Sequence, residues 1–474
     1  MYPEEVTERM DQNRSRVHVL GGAISLAVAL IHLILMAPKA VGQQADLRIE
    51  IQESVQSPRI AVPNLSGPIS IADEVDIFND TLWNDLEASA RFEMVSKSFY
   101  PRTTPRQPED FQSSENMPDD PGARGFWLQG WAEPPVVTRY LSFGSLEAGD
   151  DRLVLSGFLY DVVQSRETAH VFGKRYFAPR SDEGARQLAH LFSLDILQNL
   201  GLGKGLAGSK IYFVSNRTGD QEIWSMDYDG RNQKATTNYK NLTLTPAVSP
   251  DGSKLAFTSY FMGNPRIFIH SLETNRRLTF YNQEASMNAT PVFTPDGQKI
   301  IYASSATGSS QIYMADLDGR NLRRVSYSRS IDIDPVVNPK TGTQIAFVSG
   351  RSGLPQIYLM DIDGANTRKL SPGGGDAVQP SWDPQGENIA FAWTRGFEPG
   401  NYNIFVINVA TGKLVQLTYG AGRNEHPWFS PSGTHIVFVS NRSGGSQIWS
   451  MRADGTHLRK LTRKGKNMQP VWSE

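Results

Sequence analysis

Short apolar runs recur at a fixed spacing through the second half of the chain. The sequence SPDGSKLAFTSY, which starts at Ser249, returns as TPDGQKIIYASS, NPKTGTQIAFVSG, DPQGENIAFAW and SPSGTHIVFVSNR. The steps between the prolines of these segments are 45, 44, 45 and 47 residues (Pro250, Pro295, Pro339, Pro384, Pro431). A period of this length is typical of propeller blades and not of helical solenoids.

Each repeat contains four short apolar runs separated by polar turns. In one repeat the runs are residues 291–294, 299–302, 311–315 and 321–325. Asp296-Gly297 and Asp318-Gly319 separate neighbouring runs, and Asp-Gly pairs favour tight hairpins because glycine accepts a positive φ. The pattern therefore predicts blades of four antiparallel strands.

The two ends of the repeat region complement each other. The second-strand pattern occurs six times, and its first copy, residues 210–215, has no inner strand before it. The inner-strand pattern also begins six times, at Pro246, Pro291, Pro335, Pro380, Pro427 and Pro470. We therefore predict a six-bladed β-propeller over residues 210–474, closed by pairing of the C-terminal strand with the strand at Lys210.

Residues 43–200 contain no repeat and are expected to form an α/β domain. Strand-like segments alternate there with two helical patterns (47–51, 59–62, 92–95, 153–160 and 171–177 are the strand-like segments). The second helix has an N-cap at Ser181 or Asp182 and a stop at Gly201. Its predicted apolar stripe is Leu188, Leu191, Phe192 and Ile196. The proline-rich stretch 101–124 indicates a long exposed loop.

Residues 201–209 join the two predicted domains. Gly203 to Gly208 match the pattern G-x-G-x-x-G, but a dinucleotide-binding loop must follow a strand and open a helix. Here the glycines follow a helix and precede a strand. We therefore interpret the segment as a flexible linker.

The N-terminus is typical of an export signal. Arg14 and Arg16 precede the uncharged stretch 17–38, and small residues follow at Ala40 and Gly42. We expect residues 1–42 to be a signal peptide cleaved after Gly42, which predicts an exported protein. A retained membrane anchor is the alternative, because the apolar stretch is close to the roughly 20 residues that span a bilayer.

Composition excludes several classes of function. The 47 basic and 49 acidic residues nearly balance, so no strong field favours nucleic acid as a partner. Without cysteine the chain forms no disulfide and no thiolate metal site. No G-x-S-x-G motif occurs, and the histidines lack zinc-site spacing, so we expect no catalytic residue, metal or cofactor. The basic run from Arg459 to Lys466 indicates an outer-edge strand and loop protected by charge, and an anionic partner at this run is the alternative.

One set of polar residues, here called the rim residues, lies just before the inner-strand prolines. Because every connection from an outer to an inner strand emerges at the same face of a propeller, these residues should surround one mouth of the channel. They could bind a polypeptide loop or chain end, or only solvate the mouth, and both interpretations stay open. The rim residues are Thr245, Met287, Thr290, Asp332, Asp334, Gln379, Asn424, His426 and Gln469.

The order of domains and the repeat resemble the TolB family of the Tol-Pal system of Gram-negative envelopes. Local similarities extend the resemblance over nearly the whole mature chain, in residues 48–51, 59–63, 159–162 and 173–176 and in Arg186, Ala189 and His190. The resemblance implies a non-catalytic periplasmic adaptor, monomeric when free, which supports outer-membrane invagination in cell division and envelope integrity. It implies a Pal-like lipoprotein at the rim residues. It also implies a TolA-like inner-membrane protein at an N-terminal segment formed by Asp46, Leu47, Arg48, Ile49 and Glu50.

Two enzyme classes are the alternatives. The same repeat occurs in propellers that accompany peptidase-like hydrolases and in sugar-acting propellers. A hydrolase is disfavoured because the other domain has only about 155 residues, precedes the propeller and lacks a nucleophile motif. A sugar-acting site would require histidines and carboxylates that converge in the channel.

Overall fold

The computed structural model describes residues 57–395, 401–420 and 422–474. The predicted signal peptide and the segment Asp46–Glu50 lie outside the described residues. The described residues form one compact unit, which contains an N-terminal α/β domain and a β-propeller.

The α/β domain is built on a five-stranded sheet with the strand order β2-β1-β3-β4-β5. Strand β1 runs parallel to β2 and β3, whereas β3, β4 and β5 are antiparallel. Helices α1 and α3 bury their apolar faces in a common core with the sheet. The elements are β1 (Arg59–Ala61), α1 (Ala72–Ala88), β2 (Glu93–Met94), α2 (Leu128–Ala132), β3 (Tyr140–Ala148), β4 (Arg152–Asp161), β5 (His170–Pro179) and α3 (Asp182–Asn199).

Helix α3 begins and ends as the sequence predicts, with one exception in its apolar stripe. The Ser181 hydroxyl caps it by accepting a hydrogen bond from the Gly184 amide at 3.1 Å. Gly201 follows the helix with φ +66°. Leu188, Phe192 and Ile196 are fully buried, but Leu191 is 40% exposed, so its assignment to the stripe was wrong.

The proline-rich stretch 101–124 is not the freely exposed loop that its composition indicates. Pro101, Pro105 and Phe111 are buried, and the Phe111 ring stacks on Tyr160 of β4 with centroids 5.5 Å apart. Further along, Trp131 of α2 is fully buried in the same cluster. The stretch therefore covers the face of the sheet opposite to α1 and α3, while its polar residues remain at the surface.

The propeller has six four-stranded antiparallel sheets, numbered here as blades 1 to 6. Blade 1 comprises β29 (Asn467–Ser473), β6 (Lys210–Thr218), β7 (Asp220–Asp227) and β8 (Lys234–Ala235). Blades 2 and 3 comprise β9 (Thr243–Val248), β10 (Lys254–Ser259), β11 (Arg266–Ser271), β12 (Arg277–Leu278), β13 (Asn288–Phe293), β14 (Lys299–Thr307), β15 (Ser309–Asp316) and β16 (Arg323–Arg324). Blade 4 comprises β17 (Asp332–Val337), β18 (Gln344–Ser349), β19 (Gln356–Asp361) and β20 (Arg368–Lys369). Blades 5 and 6 comprise β21 (Ala377–Trp382), β22 (Asn388–Trp393), β23 (Asn403–Asn408), β24 (Leu414–Gln416), β25 (Asn424–Phe429), β26 (His435–Ser440), β27 (Gln447–Arg452) and β28 (Arg459–Lys460).

Strand β29 closes the ring, as the sequence predicts. It pairs antiparallel with β6, and Trp472 lies opposite Ile211. Trp472 is 6% exposed, and its indole N–H donates to the Ser209 hydroxyl at 2.9 Å. Ser209 and Leu206 are themselves buried. The second half of segment 201–209 is thus packed against the closing strand, which corrects its interpretation as a flexible linker.

A buried carboxylate joins the α/β domain to the propeller. Asp85 of α1 is 1% exposed and accepts hydrogen bonds from three groups. Its donors are the Tyr228 hydroxyl at 2.6 Å, the Ser193 hydroxyl at 3.0 Å and His190 Nδ1 at 2.7 Å. Tyr228 follows β7 in the turn between the third and fourth strands of blade 1. The α/β domain therefore contacts the face of the propeller opposite to the starts of the inner strands.

Candidate binding site at the channel mouth

Every inner strand of the propeller contains an irregularity at the same position. The pairing with the second strand shifts register there, for example between Glu425 and Trp428 in blade 6. Such a shift is a β-bulge, which adds a residue to one strand and re-aims its side chain. The residue before each inner-strand proline lies at the bulge with φ between +48° and +58°, a range uncommon for residues other than glycine. These six residues, here called the left-handed ring, are Thr245, Thr290, Asp334, Gln379, His426 and Gln469.

The prolines explain why the bulges form. A proline has no N–H to donate to a neighbouring strand, so it is tolerated in a sheet only at an edge or a bulge. The inner strand is the edge strand of its blade, and the proline lies in its middle. The sequence pattern that marks each inner strand therefore also fixes the position of its bulge.

The left-handed ring surrounds a cavity of about 320 Å³ along the channel axis. The inner-strand prolines and the residues that follow them complete the lining, and Trp428 adds a large apolar side chain. A concave apolar site with a few convergent polar groups is typical of ligand sites. The cavity lies between the middle parts of the inner strands, and two of its residues, Gln379 and His426, also line a second cavity at the face opposite to the α/β domain.

Neighbouring blades satisfy several backbone groups that the bulges free. The Gln469 side-chain oxygen accepts from the Thr245 amide at 2.8 Å, and the Gln379 side-chain oxygen accepts from the His426 amide at 2.8 Å. The Thr258 hydroxyl accepts from the Thr290 amide at 3.2 Å. These bonds pass from one blade to the next, so they hold the mouth together as one rigid surface.

The hydrogen bonds of His426 define its tautomer. Because the Gln379 oxygen accepts from the His426 amide, its side-chain nitrogen is the group that lies 3.0 Å from His426 Nε2. That nitrogen is a donor, so Nε2 accepts and the ring proton lies on Nδ1. Burial and, to a smaller extent, the charge of the nearby Arg423 lower the pKa of His426 to about 4, so the ring is neutral at pH 7. Within the described part of the chain, buried Nδ1 has no hydrogen-bond partner.

Two more residues of the left-handed ring carry buried polar groups without a partner among the described residues. The buried Thr290 hydroxyl has no hydrogen-bond partner among the described residues. Burial raises the pKa of Asp334 to about 6, and no described residue pairs with its carboxylate. A buried polar atom without a partner is unusual in a native fold, and a ligand group that completes its hydrogen bonds is one explanation.

Three of the predicted rim residues do not belong to the ring. Asp332 and Asn424 are 0% exposed, and their side chains hold Arg351 at 2.9 Å and Arg442 at 2.7 Å. They lie two positions before a ring residue, where a regular strand would point them in the same direction, but the bulge breaks the alternation. Their expected exposure at the rim is therefore wrong. Met287 is half-buried and packs against the core of blades 3 and 4.

Sequence reasoning did not anticipate a second cavity beside the ring. It measures about 440 Å³ and is lined by nine residues, which include two cations that the motifs did not mark as part of a site. The run of basic residues that ends at Lys466 was a usable signal, because an anionic partner was the alternative to the outer edge that it indicated. The structure does place Arg459 and Lys460 in the outermost strand of blade 6. The cavity is lined by Gln379, Arg423, Glu425, His426, Val439, Asn441, Ser446, Lys466 and Met468.

The fold and the ring define a class: closed six-bladed propellers that present a concave binding surface at one channel mouth. A family model described as the TolB beta propeller domain matches residues 197–397 and 375–474, which together make up more than half of the chain. The chain therefore belongs to the TolB β-propeller family.

Curated relatives agree with this assignment. The Tol-Pal system protein TolB of Syntrophotalea carbinolica is 33% identical over 228 residues, 48% of each chain. That of Cereibacter sphaeroides is 30% identical over 261 residues, 52% of each chain. A TolB homolog of Chlorobium chlorochromatii is 38% identical over 137 residues, 29% of this chain and 30% of the relative. The chain thus spans only about 30% to 52% of the length of these relatives.

The match to a solved structure extends to the α/β domain. The crystal structure of TolB from Acinetobacter baumannii covers 88% of this chain and 97% of its own, with a TM-score of 0.69 and 24% identity. The two proteins therefore share the same fold. Among the described residues of this chain, no helix combines the length and hydropathy that a membrane span requires.

Proposed function

We propose that the chain is a non-catalytic periplasmic adaptor of the Tol-Pal system. It binds a Pal-like lipoprotein at the channel mouth and a TolA-like inner-membrane protein through Asp46–Glu50. In this way it supports outer-membrane invagination in cell division and envelope integrity. The observation that carries the first half of the proposal is the left-handed ring, which surrounds a cavity and contains buried polar atoms that lack partners in the described part of the chain.

The chemistry of the mouth favours a loop or chain end of a polypeptide as the ligand. The Nδ1–H of His426 can donate to a backbone carbonyl, and the Thr290 hydroxyl can donate or accept. The prolines and Trp428 provide apolar walls against which a side chain of the bound polypeptide can pack. The ring residues are already fixed by the fold, so their side chains lose little conformational entropy when they form hydrogen bonds to a ligand.

The proposal for the TolA-like partner rests on the family resemblance of residues 46–50 alone. Export to the periplasm rests on the signal-like segment 1–42 and on the Tol-Pal names of the relatives.

Two substitutions at His426 test the lipoprotein site. His426→Asn retains a side-chain N–H close to the position of Nδ1, whereas His426→Gln moves its amide to the position of Nε2. By isothermal calorimetry with the Pal-like lipoprotein of the same organism, His426→Gln and Thr290→Ala should each weaken binding by about 1–3 kcal/mol. His426→Asn should retain most of the affinity, and all three variants should keep the wild-type melting temperature.

The control is Asp296→Asn, in the turn that follows the inner strand of blade 3 on the opposite face. It should bind like the wild type. If Asp296→Asn loses the lipoprotein and the His426 and Thr290 variants keep it, the mouth is not the site. Turnover of a substrate by the purified chain would reject the adaptor role.

A further inference from the structure

The charges around the channel mouth are distributed unevenly. The loops of blades 6 and 1 at this face form a basic crescent, although the whole chain has a net charge of −2. The same loops contain no acidic residue, and Asp220, Glu222 and Glu425 lie in the strands beside them. The basic crescent consists of Arg217, Arg423, Arg442, Arg463, Lys464 and Lys466.

Four blades (1, 4, 5 and 6) carry an arginine in equivalent positions, and they differ in what balances its charge. In blade 5, Arg395 is exposed and lies over the Trp393 ring at 5.0 Å. In blade 4, Arg351 forms an ion pair with the buried Asp332 at 2.9 Å. In blade 1 the equivalent Arg217 bonds the amide oxygen of Asn467 at 3.0 Å.

In blade 6, Arg442 bonds the amide oxygen of Asn424 at 2.7 Å. An amide satisfies the hydrogen bond but not the charge. Blades 6 and 1 therefore each keep a positive charge that blade 4 neutralises.

The second cavity lies within this crescent. Lys466 is exposed, and Asn216 holds its backbone by accepting from its amide at 2.7 Å. In the described part of the chain, neither Lys466 nor Lys464 forms an ion pair. Arg423 pairs with Glu425 at 2.5 Å, which leaves the ammonium group of Lys466 as the uncompensated charge of the cavity.

The second cavity adjoins the ring cavity. Gln379 and His426 line both of them, so one ligand can occupy both at once. Met468 and Val439 add apolar surface beside the cations. Adjacent apolar walls, amide groups and a cation fit a polypeptide segment better than a glycan or a lipid surface.

We propose that the basic crescent receives an acidic segment of the polypeptide that docks at the mouth, with one carboxylate in the second cavity beside Lys466. This inference rests on the proposed function and names the chemistry of the partner's contact surface. Charges at the edge of an interface act mainly on the rate of association and on its salt dependence.

The test compares charge reversals on the two halves of the same face. The variant Lys464→Glu/Lys466→Glu reverses the crescent, and Arg329→Glu reverses an exposed cation in the connection between blades 3 and 4. Stopped-flow association with the soluble domain of the Pal-like lipoprotein would be measured with the full chain at low salt and at about 0.15 M. The double variant should associate about tenfold more slowly at low salt and show a flatter salt dependence. Arg329→Glu should change the rate by less than about twofold.

The outcomes separate this inference from the proposed function. If the wild type does not bind the lipoprotein, the proposed function fails and the inference fails with it. If the wild type binds and the double variant associates at the same rate with the same salt dependence, only the inference is overturned. A double variant that binds the lipoprotein normally but loses binding to isolated peptidoglycan or to phosphatidylglycerol vesicles would assign the crescent to a polyanionic surface instead.

Discussion

Two residues of the left-handed ring titrate, and burial moves their pKa values in opposite directions. It raises the pKa of Asp334 to about 6 and lowers that of His426 to about 4. Both shifts favour the neutral form, because the charged form loses solvation in the narrow channel. Above pH 6 the ring therefore carries one negative charge, and between about pH 4 and 6 it carries none.

The carboxylate of Asp334 should make stability depend on pH. Its pKa in the folded state lies above the unfolded value of 3.8, so the native protein gains stability as the pH falls from about 6 to about 4. Asp334→Asn removes the charge and should stabilise the protein above pH 6 by at most about 3 kcal/mol. Water in the channel that screens the carboxylate would make this gain smaller. Urea unfolding at a series of pH values should show this gain shrinking below pH 6. A gain of equal size at every pH would contradict the assignment.

The repeated elements could be predicted almost completely, since six copies of one pattern define both the strands and the turns. The same alignment found all six residues of the left-handed ring, because each precedes a proline. The repeat pattern could not show which of the neighbouring rim residues point away from the channel. Asp332 and Asp334 carry the same side chain and lie two positions apart, where a regular strand would point them to the same face. Only the bulge directs Asp332 into an ion pair and Asp334 into the channel.

The α/β domain was harder to predict because each of its elements occurs once. The central strand β3 was missed, since Gly144, Ser142 and Ser145 interrupt its apolar pattern. Its middle residues are buried on both faces of the sheet, so no alternation marks it. The stretch 101–124, which covers the second face of the sheet, has the composition of a loop. Only its few apolar and aromatic residues indicate that it packs against the sheet.

The contact between α1, α3 and the turn after β7 carries its own prediction. Tyr228→Phe leaves one oxygen of the buried Asp85 without its donor, which should lower the free energy of unfolding by about 1–3 kcal/mol. Tyr327→Phe is the matched control, since Tyr327 is 72% exposed, and it should change stability by less than about 0.5 kcal/mol. Equal effects of the two substitutions in urea unfolding would argue against a buried bond across the domains.

The same contact should weaken as the pH rises above the folded-state pKa of His190. Burial disfavours the charged imidazole of His190, but the hydrogen bond and charge of Asp85 outweigh it and raise its pKa above 6.5. The stabilisation that this shift provides is complete below pH 6.5 and is lost as the pH rises through the folded-state pKa. Tyr228→Phe should therefore be tested at one fixed pH.

At the scale of the whole molecule, closure depends on one strand. Deleting residues 471–474 removes Val471 and Trp472, which are 7% and 6% exposed, and opens blade 1 along β6. Trp472→Ala removes only the indole and should cost about 3–5 kcal/mol of unfolding free energy. Differential scanning calorimetry should find the deletion less stable than Trp472→Ala, and both less stable than the wild type. A deletion variant with the wild-type melting temperature would show that β29 does not hold the ring closed.

Closure by β29 also sets the order in which the molecule can be made. Trp472 bonds a residue 263 positions earlier in the chain, so blade 1 stays unfinished until the other five blades have been synthesised. During that time β6 has an unpaired edge, which in a nascent chain invites pairing with another copy. Because contacts between such distant residues form slowly, the last step of folding should be the slow one. A chain interrupted anywhere in the propeller is thus left with an open edge for proteases and chaperones to recognise.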